Sequence, residues 1–360
     1  MSTTLLPPAA SVLTRLRSQF FYSPGASIVT LLTAAVLGFI ASRLIGWGVS
    51  DAVFAPDYQA CRAAGGACWG FIAEKWRLIL FGRYPFEEQW RPALAVAAIV
   101  AMLLVSAWPG LWNRAGARLI ALGWVLAFAA FFILMLGGVA GLSKVETDRW
   151  GGLPLTVILT LIGMTASAPI GIALALARRS QLPLLRALAI GYIELVRGVP
   201  LITVLFVATF IFPLVLPADW RIDPFWRIVI GIVLFQAAYM AETVRGGLQT
   251  LPRGQYHAAQ SLGLTWWQTQ ASVILPQALV AVIPAFVNGL LSTFMDTSLV
   301  TVVSMYDLTG SLRLALGDPQ WREFFIEGYL FIAAIYFVAS FAMSRYSLWL
   351  EGRLKGGVHR

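Results

Sequence analysis

Five ionisable side chains lie in stretches otherwise crowded with apolar residues: Glu194, Arg197, Glu242, Arg245 and Asp296. A charge in such surroundings is costly unless it is paired or faces water, so each needs a partner or a purpose. Glu194 and Arg197 are three apart, as are Glu242 and Arg245. On a helix that spacing lets each acid reach its own base, which predicts two intramembrane ion pairs. Asp296 is an unpaired acid followed by Thr297 and Ser298. A carboxylate beside two hydroxyls can receive an ammonium, a sodium ion or a proton in a water-filled cavity. The competing reading has Asp296 hydrogen-bonding a neighbouring helix.

Other chemistry finds no support in the chain. None of Lys75, Lys144 or Lys355 stands in a GxxxxGK[ST] setting, so no phosphate cradle is present and any ATP must be bound elsewhere. Two histidines, His257 and His359, with neither HExxH nor CxxC, offer no metal or redox centre, and no catalytic constellation is visible. The net charge of +9 is split among loops and not gathered on one soluble face, which argues against nucleic acid.

The elements that must position these groups are membrane helices. With 59% hydrophobic and 12% charged residues, the chain has more apolar surface than one soluble core can hide. Apolar runs of roughly 20 residues, enough to cross about 30 Å of hydrocarbon as helix, recur. They predict an all-α, polytopic protein with eight spans at 27–48, 93–112, 119–142, 153–177, 187–216, 227–246, 278–303 and 324–344. The first run begins late and has no small-residue cleavage site, so it reads as a retained helix. With the N-terminus inside, the inner loops hold Arg15, Arg17, Arg114, Arg118, Arg178, Arg179, Arg186, Arg245, Arg253, Arg345, Arg353, Lys355 and Arg360, answered only by Glu351. The short outer loops mix Lys144, Arg149, Arg221, Arg227, Arg313 and Arg322 with Glu146, Asp148, Asp219, Asp223, Asp307, Asp318 and Glu323. The asymmetry predicts that both termini face the cytoplasm.

Composition divides the chain near residue 150. Residues 1–150 carry three apolar segments and a long outer loop, 49–92, in which Phe71 to Phe81 reads as a surface helix. Cys61 and Cys68 lie in that loop. A local disulfide and two free thiols are both compatible with the sequence, and neither cysteine reads as a metal ligand. Residues 151–350 carry five segments with tight connections, and 351–360 form a short tail.

The most informative stretch is the inner loop 246–276 with the arginine before it, RGGLQTLPRGQYHAAQSLGLTWWQTQASVILP. It reads as two short helices separated by Gly263, the second opened by Thr265 and Gln268 at capping-box spacing. Trp266 and Trp267 give it a broad apolar surface. Its pattern resembles the EAA loop of ABC importer permeases: Ala258, Ala259, Gly263, Val273, Leu275 and Pro276 match, and His257 replaces the usual Glu. Either that histidine reshapes one polar contact or it is a solvated surface residue. Two further segments, GYIELVRGVPL around Glu194 and AAYMAETVRGGL around Glu242, are similar to motifs of the polar amino-acid branch. Asp296–Leu299 resembles its KDTSL segment, with Met295 in place of Lys.

The resemblance covers residues 150–350. The extra N-terminal spans resemble the layout of the M-type subunit of general L-amino-acid permeases. It implies a type I ABC permease core in a bacterial inner membrane and a partner permease, with a heterodimer expected. It also implies a dimer of ATP-binding subunits carrying ATP and Mg, and a periplasmic amino-acid-binding protein. The loop would dock on the ATPase, and Glu194, Glu242, Asp296, Thr297 and Ser298 are the candidates for the path of an amino acid. The alternative is a secondary transporter using those acids as ion sites, although no inverted repeat is visible.

Overall fold

The computed structural model describes residues 18–217 and 221–358, and the side chains of 354–358 are not described. Arg15, Arg17, Asp219, His359 and Arg360 lie outside the described residues, as does the Lys355 side chain. Contacts divide the chain into two compact units, Met1–Glu74 and Lys75–Arg360.

In the first unit, α1 (Pro24–Ile45) starts where the Ser23 hydroxyl accepts from the Ala26 N–H at 3.1 Å, with Pro24 in the first turn. A π turn carries it on to Ser50. None of its side chains is buried, as suits a helix whose solvent is lipid. The short α2 (Tyr58–Ala63) is capped by Asp57. A disulfide joins Cys61 to Cys68 with their Cα atoms 5.3 Å apart. The stretch read as a surface helix forms α3 (Gly70–Phe81), which crosses the boundary between the two units and buries Phe71 and Ile79.

In the second unit, α4 (Trp90–Ser106) packs along α5 (Arg114–Leu136), which Asn113 caps through the Gly116 N–H at 2.8 Å. Next come α6 (Gly152–Arg178), α7 (Pro183–Arg197), α8 (Leu201–Phe206) and α9 (Phe212–Val215). The remainder comprises α10 (Pro224–Thr250), α11 (Arg253–Ser261), α12 (Trp266–Gln268), α13 (Leu275–Asp296), α14 (Leu308–Ala315) and α15 (Phe325–Val358).

Among the described residues, seven helices are long and apolar enough to cross a membrane, or eight if one bent pair counts as a span. That bent pair corrects the sequence reading of 187–216 as one span. Pro183–Arg197 and Leu201–Val215 meet at 105°. Pro200 lacks an N–H and pushes Val199 out of the helical region, so the helix ends at Arg197 and restarts at Leu201. The seventh span also starts earlier than expected. It runs from Trp266 through a π turn at Thr269–Ile274, just ahead of Pro276, whose missing N–H a regular helix would not tolerate.

The core of the second unit is the crossing of α6 with α10. A Cβ on Gly171 would fall 2.6 Å from Met240 Cβ and 3.0 Å from the Ala241 backbone nitrogen, so glycine sets the approach of these helices. Gly247 does the same for α10 and α13, where a Cβ would lie 2.4 Å from Val282 and 2.9 Å from the Ala278 carbonyl oxygen. Trp150, Phe131, Phe132, Phe225 and Trp226 form an aromatic cluster that fixes α5 against the start of α10.

Candidate functional site

The intramembrane acids and bases form one network and not two separate pairs. Arg245 and Glu242 pair along α10, with Arg245 Nε donating to both carboxylate oxygens at 3.0 and 2.9 Å. Glu194, however, is held by Arg178 from the end of α6 at 3.1 Å, and Arg197 turns to Glu242 at 3.9 Å. Arg178 also reaches Glu242 at 3.5 Å. The expected pairing of Glu194 with Arg197 is therefore corrected. Arg197 ends α7 just before the bend, and its guanidinium lies over the Tyr239 ring of α10, 5.6 Å from the centroid, which draws it to Glu242. Tyr192 fixes the same crossing by donating to the Leu234 carbonyl at 2.6 Å. Three guanidiniums thus face two carboxylates, and Glu242 is the hub.

Asp296 is not part of this network. Gly247 of α10 lies level with Ala278 and Val282 of α13. Counting 1.5 Å per helical residue from there places Asp296 roughly 16 Å beyond Glu242 along the bundle. Asp296 is half-buried, with no hydrogen-bond or ionic partner among the described residues, so the neighbouring-helix reading has no contact to rest on. Thr297 is buried, and its hydroxyl donates to the Phe294 carbonyl at 2.9 Å, while Ser298 stays half-exposed. Among the groups read as outer-loop acids, Asp307 is fully buried. It caps α14 through the Gly310 N–H at 2.8 Å and accepts from the Thr301 and Tyr336 hydroxyls at 3.3 and 3.2 Å. Burial pushes its carboxyl above the ordinary aspartate range.

At the far end of α10 the loop folds as the expected hairpin. α11 ends in Leu262 and Gly263, whose φ of +72° turns the chain at no steric cost. Thr265 and Gln268 then form a full capping box for α12. One side of the hairpin is anchored. Ala259 and Ile274 are buried, and Val273 and Leu275 pack against the cluster that holds Val244, Leu248 and Ala278. Arg179 donates to the Tyr256 hydroxyl at 3.1 Å and lies over its ring. The other side is bare: Leu262 is 79% exposed and Trp267 71%, with Trp266, His257 and Ala258 also exposed. The two tryptophan rings touch edge to face at 4.6 Å. Because α12 runs into α13 through the π turn, a push on the bare face is delivered to a spanning helix.

Arg178 escaped the sequence reading because it ends a span, where arginines usually serve as interfacial anchors. Its helical neighbours gave no sign that it closes a bridge between α7 and α10.

The family model for the inner membrane component of binding-protein-dependent transport systems matches residues 167–356. An inner membrane amino-acid ABC transporter permease protein of Escherichia coli (strain K12), YhdY, is 42% identical over 95% of this chain and 92% of its own. BztC of Rhodobacter capsulatus, a glutamate/glutamine/aspartate/asparagine transport system permease protein, is 33% identical over 94% of this chain and 93% of its own. A shorter relative, the probable glutamine ABC transporter permease protein GlnM of Bacillus subtilis, is 32% identical over 56% of this chain and 90% of its own. Among solved structures, the crystal structure of an amino acid ABC transporter with histidines is 31% identical with a TM-score of 0.50. It covers 56% of this chain and 92% of that one.

Proposed function

The chain belongs to the binding-protein-dependent inner membrane transport components, as an amino-acid ABC importer permease, and from that premise we propose how its parts work. It is a multi-pass membrane transport subunit, and the ion-coupled alternative finds no support in this membership. The family implies ATPase and substrate-binding partners in general.

The finer reading is ours. The hairpin 246–276 docks in the ATPase partner, which carries ATP and Mg, and both termini face the same cytoplasmic side. The single observation that carries this is the hairpin itself. It is anchored on one face by Ala259, Val273 and Leu275, and it presents His257, Ala258, Trp266 and Trp267 unburied on the other. A rigid two-faced element can transmit force only if something grips its bare side, and binding there must favour one state of the pore.

The permease core is residues 151–350, preceded by an accessory region 1–150 and followed by the tail 351–360. The family model's match to residues 167–356, nearly all of it within the core, supports this division. The full-length likeness of the longer relatives favours the M-type layout of a general L-amino-acid permease, working with a second permease subunit as a heterodimer and with a periplasmic binding protein. Asp296 with Thr297 and Ser298 contributes to the path. Glu194 and Glu242 form a charged station about 16 Å further along it, by the helical rise.

The test is to tag the chain, solubilise it gently and identify what stays bound. An ATPase subunit and a second permease should co-purify. Trp266→Ser with Trp267→Ser should release the ATPase while leaving the chain folded. Retention of the ATPase by that variant would refute the docking assignment. Unchanged transport by Asp296→Ala, with unchanged assembly, would remove Asp296 from the path.

A further inference from the structure

The two hydroxyls assigned to the path, Thr297 and Ser298, open a stretch that is not regular helix. Thr297–Val303 forms a 3-10 turn of seven residues, and Ser304 closes it in the left-handed region at φ +66°. Runs of 3-10 helix beyond about four residues are uncommon, and a left-handed residue other than glycine persists only where its surroundings over-determine it. Some group must therefore hold this turn.

Asp307 is placed to do so, and the permease reading gives it no role. It is 0% exposed. One carboxylate oxygen accepts from the Gly310 N–H at 2.8 Å and from the Thr301 hydroxyl, inside the turn, at 3.3 Å. The other accepts from the Tyr336 hydroxyl of α15 at 3.2 Å. Tyr336 reaches back to the path. Its hydroxyl lies 3.2 Å from that of Thr309 and within hydrogen-bonding reach of that of Thr297, and its ring meets Phe294 edge to face at 5.3 Å. Gly310 permits the close approach, because a Cβ there would fall 2.5 Å from the Thr301 hydroxyl oxygen. Asp307 is anchored in turn to α6, where Gly152 bridges to it through the backbone and the Thr156 hydroxyl accepts from the Leu308 N–H at 3.1 Å.

A slot needed only for packing would be filled more stably by an apolar side chain, since a fully buried carboxylate carries a desolvation cost. What the carboxylate adds is two acceptor oxygens and no donor, so N–H and O–H groups from the turn, α14 and α15 converge on it. We propose that Asp307 is a positioning residue of the transport path. Acting through Thr301 and Tyr336, it fixes the turn so that Asp296, Thr297 and Ser298 keep the geometry a passing solute meets. It does not touch the solute. The proposal rests on the reading of those three residues as part of the path.

The experiment uses the full complex in sealed vesicles and reads amino-acid uptake per ATP hydrolysed. That ratio does not depend on how much of the complex is folded, because unfolded complex contributes to neither quantity. Asp307→Asn, Tyr336→Phe and Thr301→Val should each lower it by about tenfold, whereas Thr301→Ser, which keeps the hydroxyl, should match wild type. Asp307→Asn combined with Tyr336→Phe should be no worse than Asp307→Asn alone, because both act on one network. A second readout is the rate at which Ser298→Cys reacts with a water-soluble maleimide. Cys61 and Cys68 are joined and give no background. Adding Asp307→Asn should change that rate by about tenfold. A wild-type ratio in both Tyr336→Phe and Thr301→Val, an unchanged labelling rate, or equal losses in Thr301→Ser and Thr301→Val would each overturn the proposal. Asp296→Ala keeps the two readings apart. If it lowers the ratio and the Asp307 network variants do not, this proposal alone fails, whereas an unchanged ratio in Asp296→Ala sinks the path reading beneath it.

Discussion

Neutralising Glu242 should cost far more stability than neutralising Glu194, although the two acids stand in matching sequence contexts. Glu242 is engaged by Arg245, Arg178 and Arg197 and its side chain is 25% exposed, whereas Glu194 has Arg178 alone and is 56% exposed. A single charge contact near 4 Å is worth about 4 kcal/mol gross at an effective dielectric of 20. Desolvation and partial exposure cut this sharply, and a net loss of about 2–3 kcal/mol follows for Glu242→Gln, which leaves three guanidiniums facing one carboxylate. For Glu194→Gln the exposed-pair range of about 0–1 kcal/mol applies. At about 2 °C per kcal/mol for a chain of this size, Glu242→Gln should melt about 4–6 °C lower and Glu194→Gln less than about 2 °C lower. The assay is thermal unfolding of the purified chain in detergent, followed by tryptophan fluorescence. Adding Arg245→Gln to Glu242→Gln should recover part of the loss, because one uncompensated cation is removed. Equal losses for the two acids would refute the hub and restore two independent pairs.

Two further outcomes follow from packing and titration. Gly247→Leu should destabilise by about 1–3 kcal/mol or more, because its Cβ would meet the Ala278 backbone, whereas Gly246→Ala next to it, with nothing within 4 Å, should be neutral or slightly stabilising in the same melt. The Lys75 ammonium 2.9 Å from Asp318 holds that carboxyl below its ordinary range. Its contribution is therefore present above the unfolded aspartate pKa of about 4 and is lost as pH falls through the lower folded value. Melting temperatures taken across acid pH should show this loss in wild type and not in Lys75→Met, and identical pH profiles would refute it.

The sequence revealed most where physics leaves few choices. Apolar length marked the spans, and the Thr265–Gln268 spacing with Gly263 marked the hairpin, because a capping box and a positive φ are written in local residues. What stayed hidden depends on residues distant in the chain. The 105° bend was carried by Pro200, but hydropathy runs straight through it. Arg178 joins Glu194 and Glu242 across three helices, and no helical spacing announces that. Asp307 read as one of the outer-loop acids, although it is buried and accepts from the Tyr336 hydroxyl, far along the chain.

The central claim is that a nucleotide-hydrolysing partner drives this permease through its hairpin. The most direct measurement reconstitutes the chain, with its co-purifying subunits, into sealed vesicles and follows uptake of labelled amino acids delivered by the binding protein. Uptake should require ATP inside the ATPase-bearing compartment, ignore imposed ion gradients and vanish with Trp266→Ser and Trp267→Ser. Accumulation by the chain alone, without nucleotide and under an ion gradient only, would contradict the account.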